Sequence, residues 1–130
     1  MPTIFTRIIE GSIPGTFVYR DDQCVVFMSI NPITDGHVLV VPIQEVDHWV
    51  DSPPALSAHL FAVSQRISLA LQNAFPCERI GLIIAGYEID HCHIHLIPTQ
   101  SMADLNFANA ATTVDRATLE SHSALIQAHL

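Results

Sequence analysis

The chain contains no lysine. Its fixed positive charge is five arginines against 13 acidic residues, a formal charge of −8. A surface of that sign repels a phosphate backbone, so DNA and RNA are not expected as partners. A site that handles phosphate must then rely on imidazoles and backbone N–H groups. Cysteine is scarce as well. Cys24, Cys77 and Cys92 are odd in number and unhelpfully spaced, which argues against a disulfide framework and for a reduced, cytoplasmic setting. Long apolar runs are missing: IGLIIAG at 80–86 falls far short of the ~20 residues a spanning helix needs. The opening MPTIFTRIIEG lacks the basic-then-apolar layout of a leader, so no membrane association is expected.

What is present points to a folded core. Hydrophobic residues make up 49% of the 130 positions, and the mean hydropathy of +0.35 excludes a disordered chain. Residues 17–20 (FVYR) and 24–29 (CVVFMS) read as short strands around an Asp21-Asp22 turn. HVLVVPI (37–43) reads as a third strand after Thr34-Asp35-Gly36. Between 53 and 75, Leu56, Leu60, Val63, Ile67, Leu71 and Phe75 form one stripe of an amphipathic helix, with Ser52 as its N-cap. RIGLIIA (79–85) is expected to be a fourth strand, buried on both faces. IFTRIIEG reads as a short first helix ended by Gly11 and packed on the sheet edge, and 115–128 as a terminal helix. Short connections and one long helix predict an α+β domain with a mostly antiparallel sheet of about five strands.

The informative stretch is HCHIHLIPT (91–99). In an extended strand His91, His93 and His95 share one face, roughly 7 Å from neighbour to neighbour, while Cys92, Ile94 and Leu96 point into the core. A helix would scatter the rings, and Pro98 suits a strand's end. Neutral imidazole is a competent nucleophile near neutral pH, and crowding several rings discourages simultaneous protonation. A zinc site held by the three rings is the competing reading at this point. The middle ring is expected to lie exposed in a hollow.

The same stretch is similar to the His-x-His-x-His-x-x pattern, apolar at each x, of the histidine-triad (HIT) superfamily. IFTRIIEGSIPGTFVYRDD resembles that family's usual start, and FMSINPITDGHVLVVP its segment with Ile-x-Pro, Gly-His and an apolar strand ending in Pro. The resemblance covers roughly residues 4–100, the core of a single domain over 1–130, with 101–130 as a tail. It implies a HIT-like fold, a homodimer with joined sheets, and hydrolysis or transfer at the α-phosphate of a nucleotide derivative, with a purine nucleotide expected. His93 then corresponds to the nucleophile that forms a transient nucleotidyl-histidine, with His91 and His95 flanking the phosphate and His37 completing the cluster. Phe5, Ile8, Ile13, Phe27 and Ile30 fall where the family lines a nucleobase pocket, and backbone N–H groups around Gly86 and Glu88 where it binds phosphate.

The chain departs from the family pattern in three places. Gly86-Tyr87-Glu88 replaces Gly-Gln-Ser or Gly-Gln-Thr, Ser29 replaces a ribose-holding Asp, and Ile80 an Asn. Thr3 and Thr6 stand where zinc-binding members carry cysteines, so no metal or cofactor is expected. Two functions follow: a nucleotide phosphoramidase or dinucleotide hydrolase, and a nucleotide-binding regulatory module with little turnover.

Overall fold

A computed structural model describes residues 2–130. Its elements run α1 (Ile4–Glu10), β1 (Phe17–Arg20), β2 (Cys24–Met28), β3 (Val38–Pro42), α2 (Pro54–Ala74), β4 (Arg79–Ile83), β5 (Ile94–Thr99) and α3 (Arg116–Gln127). Single turns of tighter helix precede α2 and follow β5. The five strands form one antiparallel sheet in the order β1-β2-β3-β5-β4, the α+β fold expected.

Period-2 alternation sorts this sheet into two faces. One face carries Val26, Val38, Val40, Ile94 and Leu96, which pack against Leu56, Leu60, Val63, Ile67 and Leu71 of α2 and against Leu119 and Ile126 of α3. Ile67 and Leu71 are fully buried, so truncating either to Ala costs about 2–5 kcal/mol. The opposite face carries Val25, Phe27, Leu39 and Val41, covered by Phe5, Ile8 and Ile9 of α1. That second face is where the histidines point. Helix α1 is fixed at both ends, by the Thr3 side chain accepting from the Thr6 N–H and by Gly11 at φ +88°. It lies over this face of the sheet, not along its edge.

The Asp21-Asp22 turn is held from inside. Asp21 Oδ1 accepts from the Gln23 and Cys24 N–H groups, both at 2.8 Å, and Oδ2 accepts from Tyr19 and meets His59, both at 2.7 Å. Burial alone would raise this carboxyl, but the donors outweigh it and hold it below the usual range. Burial, then the charge of Asp21, pushes the Cys24 thiol up to about 12, so it packs as an inert small hydrophobe.

Three expectations change. Ser52 does not cap α2: the helix begins at Pro54 after Pro53, with no side-chain cap. Proline at the first position has no N–H, so the helix start has one fewer unpaired donor. RIGLIIA is not buried on both faces. It ends as a strand at Ile83 and forms an open edge of the sheet, with Leu82 exposed to 42%. The ladder of β5 begins at Ile94, so His91 and His93 precede the paired strand instead of lying within it.

Candidate active site

His37, from the turn before β3, and His93 and His95, at the start of β5, meet over the α1 face beside a cavity of about 380 Å³. Every apolar position expected at a base pocket lines it: Phe5, Ile8, Ile13, Phe27 and Ile30. Glu88 reaches in from the loop between β4 and β5.

The hydrogen bonds fix where protons sit. The Ile33 N–H donates to His37 Nδ1 at 3.0 Å, so neutral His37 carries its hydrogen on Nε2. That Nε2–H donates to His95 Nδ1 at 2.9 Å. His95 must then carry its own hydrogen on Nε2, which donates to Glu88 Oε2 at 2.8 Å. A backbone amide 62 positions up the chain thus sets which side of His95 faces the cavity as a donor. His93 is set the other way. Its Nδ1 lies 2.8 Å from the His91 carbonyl, which only accepts, so Nδ1 holds the hydrogen and Nε2 is left toward the cavity.

His93 is not the open ring expected. It is 4% exposed, with the Phe5 ring edge-on at 4.9 Å and Glu88 Oε2 lying 3.1 Å from its Nε2. The cause is side-chain length: where the family resemblance puts a short hydroxyl, a glutamate spans the gap and bridges two imidazoles. With a hydrogen on His93 Nε2 this contact is a charge-assisted hydrogen bond, and without one two lone pairs meet.

Electrostatics follow the same geometry. Burial, then repulsion from His95 and His93, holds the His37 imidazole down to about 3. His95 is also lowered by burial, with Glu88 pulling the other way. Burial would raise the Glu88 carboxyl, yet the hydrogen bond from His95 and the nearby His93 bring it down to about 2. Glu88 is therefore ionised at neutral pH and His37 uncharged.

Two predicted site residues lie elsewhere. His91 is fully buried and does not line the cavity. Its Nδ1 meets Thr3 Oγ1 and its Nε2 the Pro42 carbonyl, both at 2.7 Å, tying α1 to β3. Gly86 faces a separate surface recess beside Asp47, His48, Trp49 and Tyr87, at φ +86°.

Glu88, His93 and His95 also bring three ligand-type atoms within 4.8 Å of one another. They do not fit a cation, because His95 Nε2 carries the hydrogen imposed through His37 and offers no lone pair. Thr3 hydrogen-bonds through its hydroxyl to Thr6 and to His91.

The tail supplies lining residues that sequence patterns did not flag. Phe107 stands edge-on to His95 at 4.9 Å, and Ala110 and Arg116 complete the wall. Arg116 donates to Thr16 Oγ1 at 2.7 Å. Its only signal in the sequence is that it is one of five cations.

The family model for the HIT domain matches residues 10–102. The chain belongs to the HIT family. This places it in a superfamily of nucleotide-binding hydrolases and transferases. Among HIT relatives, the protein hit of Bacillus subtilis is 32% identical over 78% of this chain and 73% of its own. Adenylylsulfatase HINT3 of Arabidopsis thaliana is 32% identical over 73% of this chain and half (51%) of its own length, so the family includes hydrolases. A HIT-like protein from Bartonella henselae, crystallised with an unknown ligand, superposes with a TM-score of 0.88 at 27% identity, covering 98% of this chain and 96% of that one. A zinc-bound histidine triad protein from Mycobacterium smegmatis gives 0.81 at 26% identity, covering 97% and 91%. Among the described residues, no helix is long and apolar enough to cross a membrane.

Proposed function

We propose that the chain is a nucleotide hydrolase or transferase acting at the α-phosphate of a nucleoside phosphoramidate or dinucleoside polyphosphate, in the cytoplasm. The observation that carries this reading is the orientation of His93: its Nδ1–H is tethered to the His91 carbonyl, which aims Nε2 at the cavity.

The chemistry runs in two displacements. When His93 carries hydrogens on both ring nitrogens, Glu88, the nearest acceptor to Nε2, takes the one on that atom, while Nδ1 keeps its own against the His91 carbonyl. The freed lone pair attacks phosphorus, the new P–N bond forms, and the bond to the leaving group breaks as Glu88 returns the proton to it. Water then attacks the nucleotidyl-histidine, giving its proton to Glu88, and the P–N bond breaks with His93 restored. The His95 Nε2–H stabilises charge on a phosphoryl oxygen, an effect worth about 2–4 kcal/mol for one preorganised donor. The His91 ring stays outside the reaction and serves by holding the carbonyl that orients His93.

Glu88 over the nucleophile favours the second reading, a nucleotide-binding module with little turnover. The two separate in one experiment. His93→Ala abolishes hydrolysis of an adenosine or guanosine phosphoramidate while nucleoside monophosphate still binds. An unchanged rate in that variant overturns the enzymatic reading. The open β4 edge, with its unpaired backbone groups and exposed Leu82, supports a homodimer whose sheets join there.

A further inference from the structure

The cavity has a second end that chemistry at His93 leaves unused. Thr16 sits beside β1, where its carbonyl accepts from the Met28 N–H, and β1 lies three strands from β5. Three strand spacings put this end roughly 14 Å across the sheet from His95, and two put it roughly 10 Å from His37. Between the two ends the walls are Phe5, Ile8 and Phe27, an apolar slot suited to a flat ring. Gly15 makes the slot's far wall tight: a Cβ there would collide with Ile8, so only glycine lets this turn approach so closely.

Arg116 closes that end. It comes from beyond residue 102, outside the span that the family model matches. Among the described residues it is the one arginine lining the cavity. One Nη1–H is used on Thr16, and among the described residues no carboxylate lies within ion-pair distance of the guanidinium. The rest of its fork offers donors and no acceptor. Asn31, on the same rim, spends its Nδ2 on the Ala111 and Thr112 carbonyls, which leaves its Oδ1 as an acceptor.

We propose that Arg116 selects a 6-oxopurine base, guanine above all, in the nucleotide this cavity holds. The proposal rests on the nucleotide reading above and specifies its substrate class. With a phosphate at His93 and the ring in the slot, the group nearest Arg116 is the far edge of the base. Guanine and hypoxanthine present paired acceptors, O6 and N7, to such a fork, whereas adenine presents an N6 amino group that meets donors with a donor. Discrimination then comes as much from the rejected base as from the accepted one. Guanine's N1–H and N2 amino group give the Asn31 oxygen a donor to accept from.

The test is calorimetric binding of GMP, IMP and AMP to the full chain. GMP and IMP bind at least about tenfold more tightly than AMP, in line with one bidentate guanidinium–guanine contact. Arg116→Ala brings the GMP-to-AMP ratio to about one. Arg116→Lys, which keeps a long cationic side chain on α3 but loses the fork, also lowers the ratio, so the result does not depend on the alanine variant folding. Arg66→Gln, on the exposed side of α2 away from the cavity, preserves it. Equal affinity for GMP and AMP, or a ratio untouched in both Arg116 variants, overturns the base assignment while leaving the nucleotide reading standing. Binding of adenosine 3′,5′-bisphosphate that exceeds GMP binding and depends on Arg116 overturns it too, by giving the arginine to a second phosphate. Failure of every nucleotide to bind overturns both readings together.

Discussion

His37 Nε2 and His95 Nδ1 lie 2.9 Å apart, both rings buried, and the hydrogen between them belongs to His37. The Ile33 amide occupies the other nitrogen of His37, so the direction of this bond cannot reverse without leaving a buried group unpaired. His95 is thereby a fixed donor toward the cavity. A ring that could flip its tautomer would spend part of its time presenting a lone pair to phosphate oxygen.

His37→Phe removes the device while filling the same space. The expected outcome is a ten- to hundredfold fall in kcat, typical of losing a partner that orients a reacting imidazole. His37→Gln, whose amide N–H can still donate to His95 Nδ1, recovers part of it. Steady-state kinetics on the two variants checks this; equal damage in both contradicts a tautomer-setting role.

Glu88 has opposing effects on substrate. In the proposed reaction its charge repels a phosphate, and its carboxylate relays the proton. Glu88→Gln therefore lowers KM severalfold and lowers kcat by about 10²–10⁴, the usual scale for losing a general acid–base group. An unchanged or increased kcat in Glu88→Gln would remove the relay and leave Glu88 as a cap only.

Acid should destabilise the fold. An unfolded histidine titrates near 6.5, whereas burial and then the neighbouring rings hold His37 at about 3, with His91 and His95 shifted the same way. Between those values the unfolded chain binds protons that the folded chain refuses, so stability falls as pH falls. Glu88, held at about 2 against an ordinary 4.5, acts in the same direction: its contribution is complete above 4.5 and fades toward 2. Urea unfolding at pH 7 and pH 4.5 should differ by on the order of 2–4 kcal/mol, with a smaller difference in His37→Phe. Equal stability at the two pH values contradicts the buried neutral cluster.

Much of this was legible in the sequence because the signals are local. Period-2 spacing put His93 and His95 on one face and Ile94 and Leu96 on the other, and a stripe of leucines marked α2 to within a residue at each end. What was not legible depends on distant parts of the chain. The His37–His95 bond joins residues 58 apart, and the Arg116–Thr16 bond residues 100 apart; no window contains both partners. RIGLIIA looks the same whether a strand covers it on one side or two, so its place at the sheet edge waited on topology. His91 kept to the face of His93, with Phe5 edge-on to both rings, yet Thr3 and Pro42 occupy its two nitrogens, and both partners are far from it in the chain. The repeat alone could not show that Glu88 would reach the middle ring.

The proposed mechanism requires His93 Nε2 to become covalently bound to phosphorus during turnover. Rapid acid-free quenching of the protein with an α-phosphate-labelled guanosine or adenosine phosphoramidate, followed by digestion and mass spectrometry, tests it directly. The expected result is a nucleotidyl adduct on the peptide containing His93, formed and lost at rates compatible with turnover and absent in His93→Ala. Turnover without any such adduct, or an adduct on His91 or His95 instead, contradicts it.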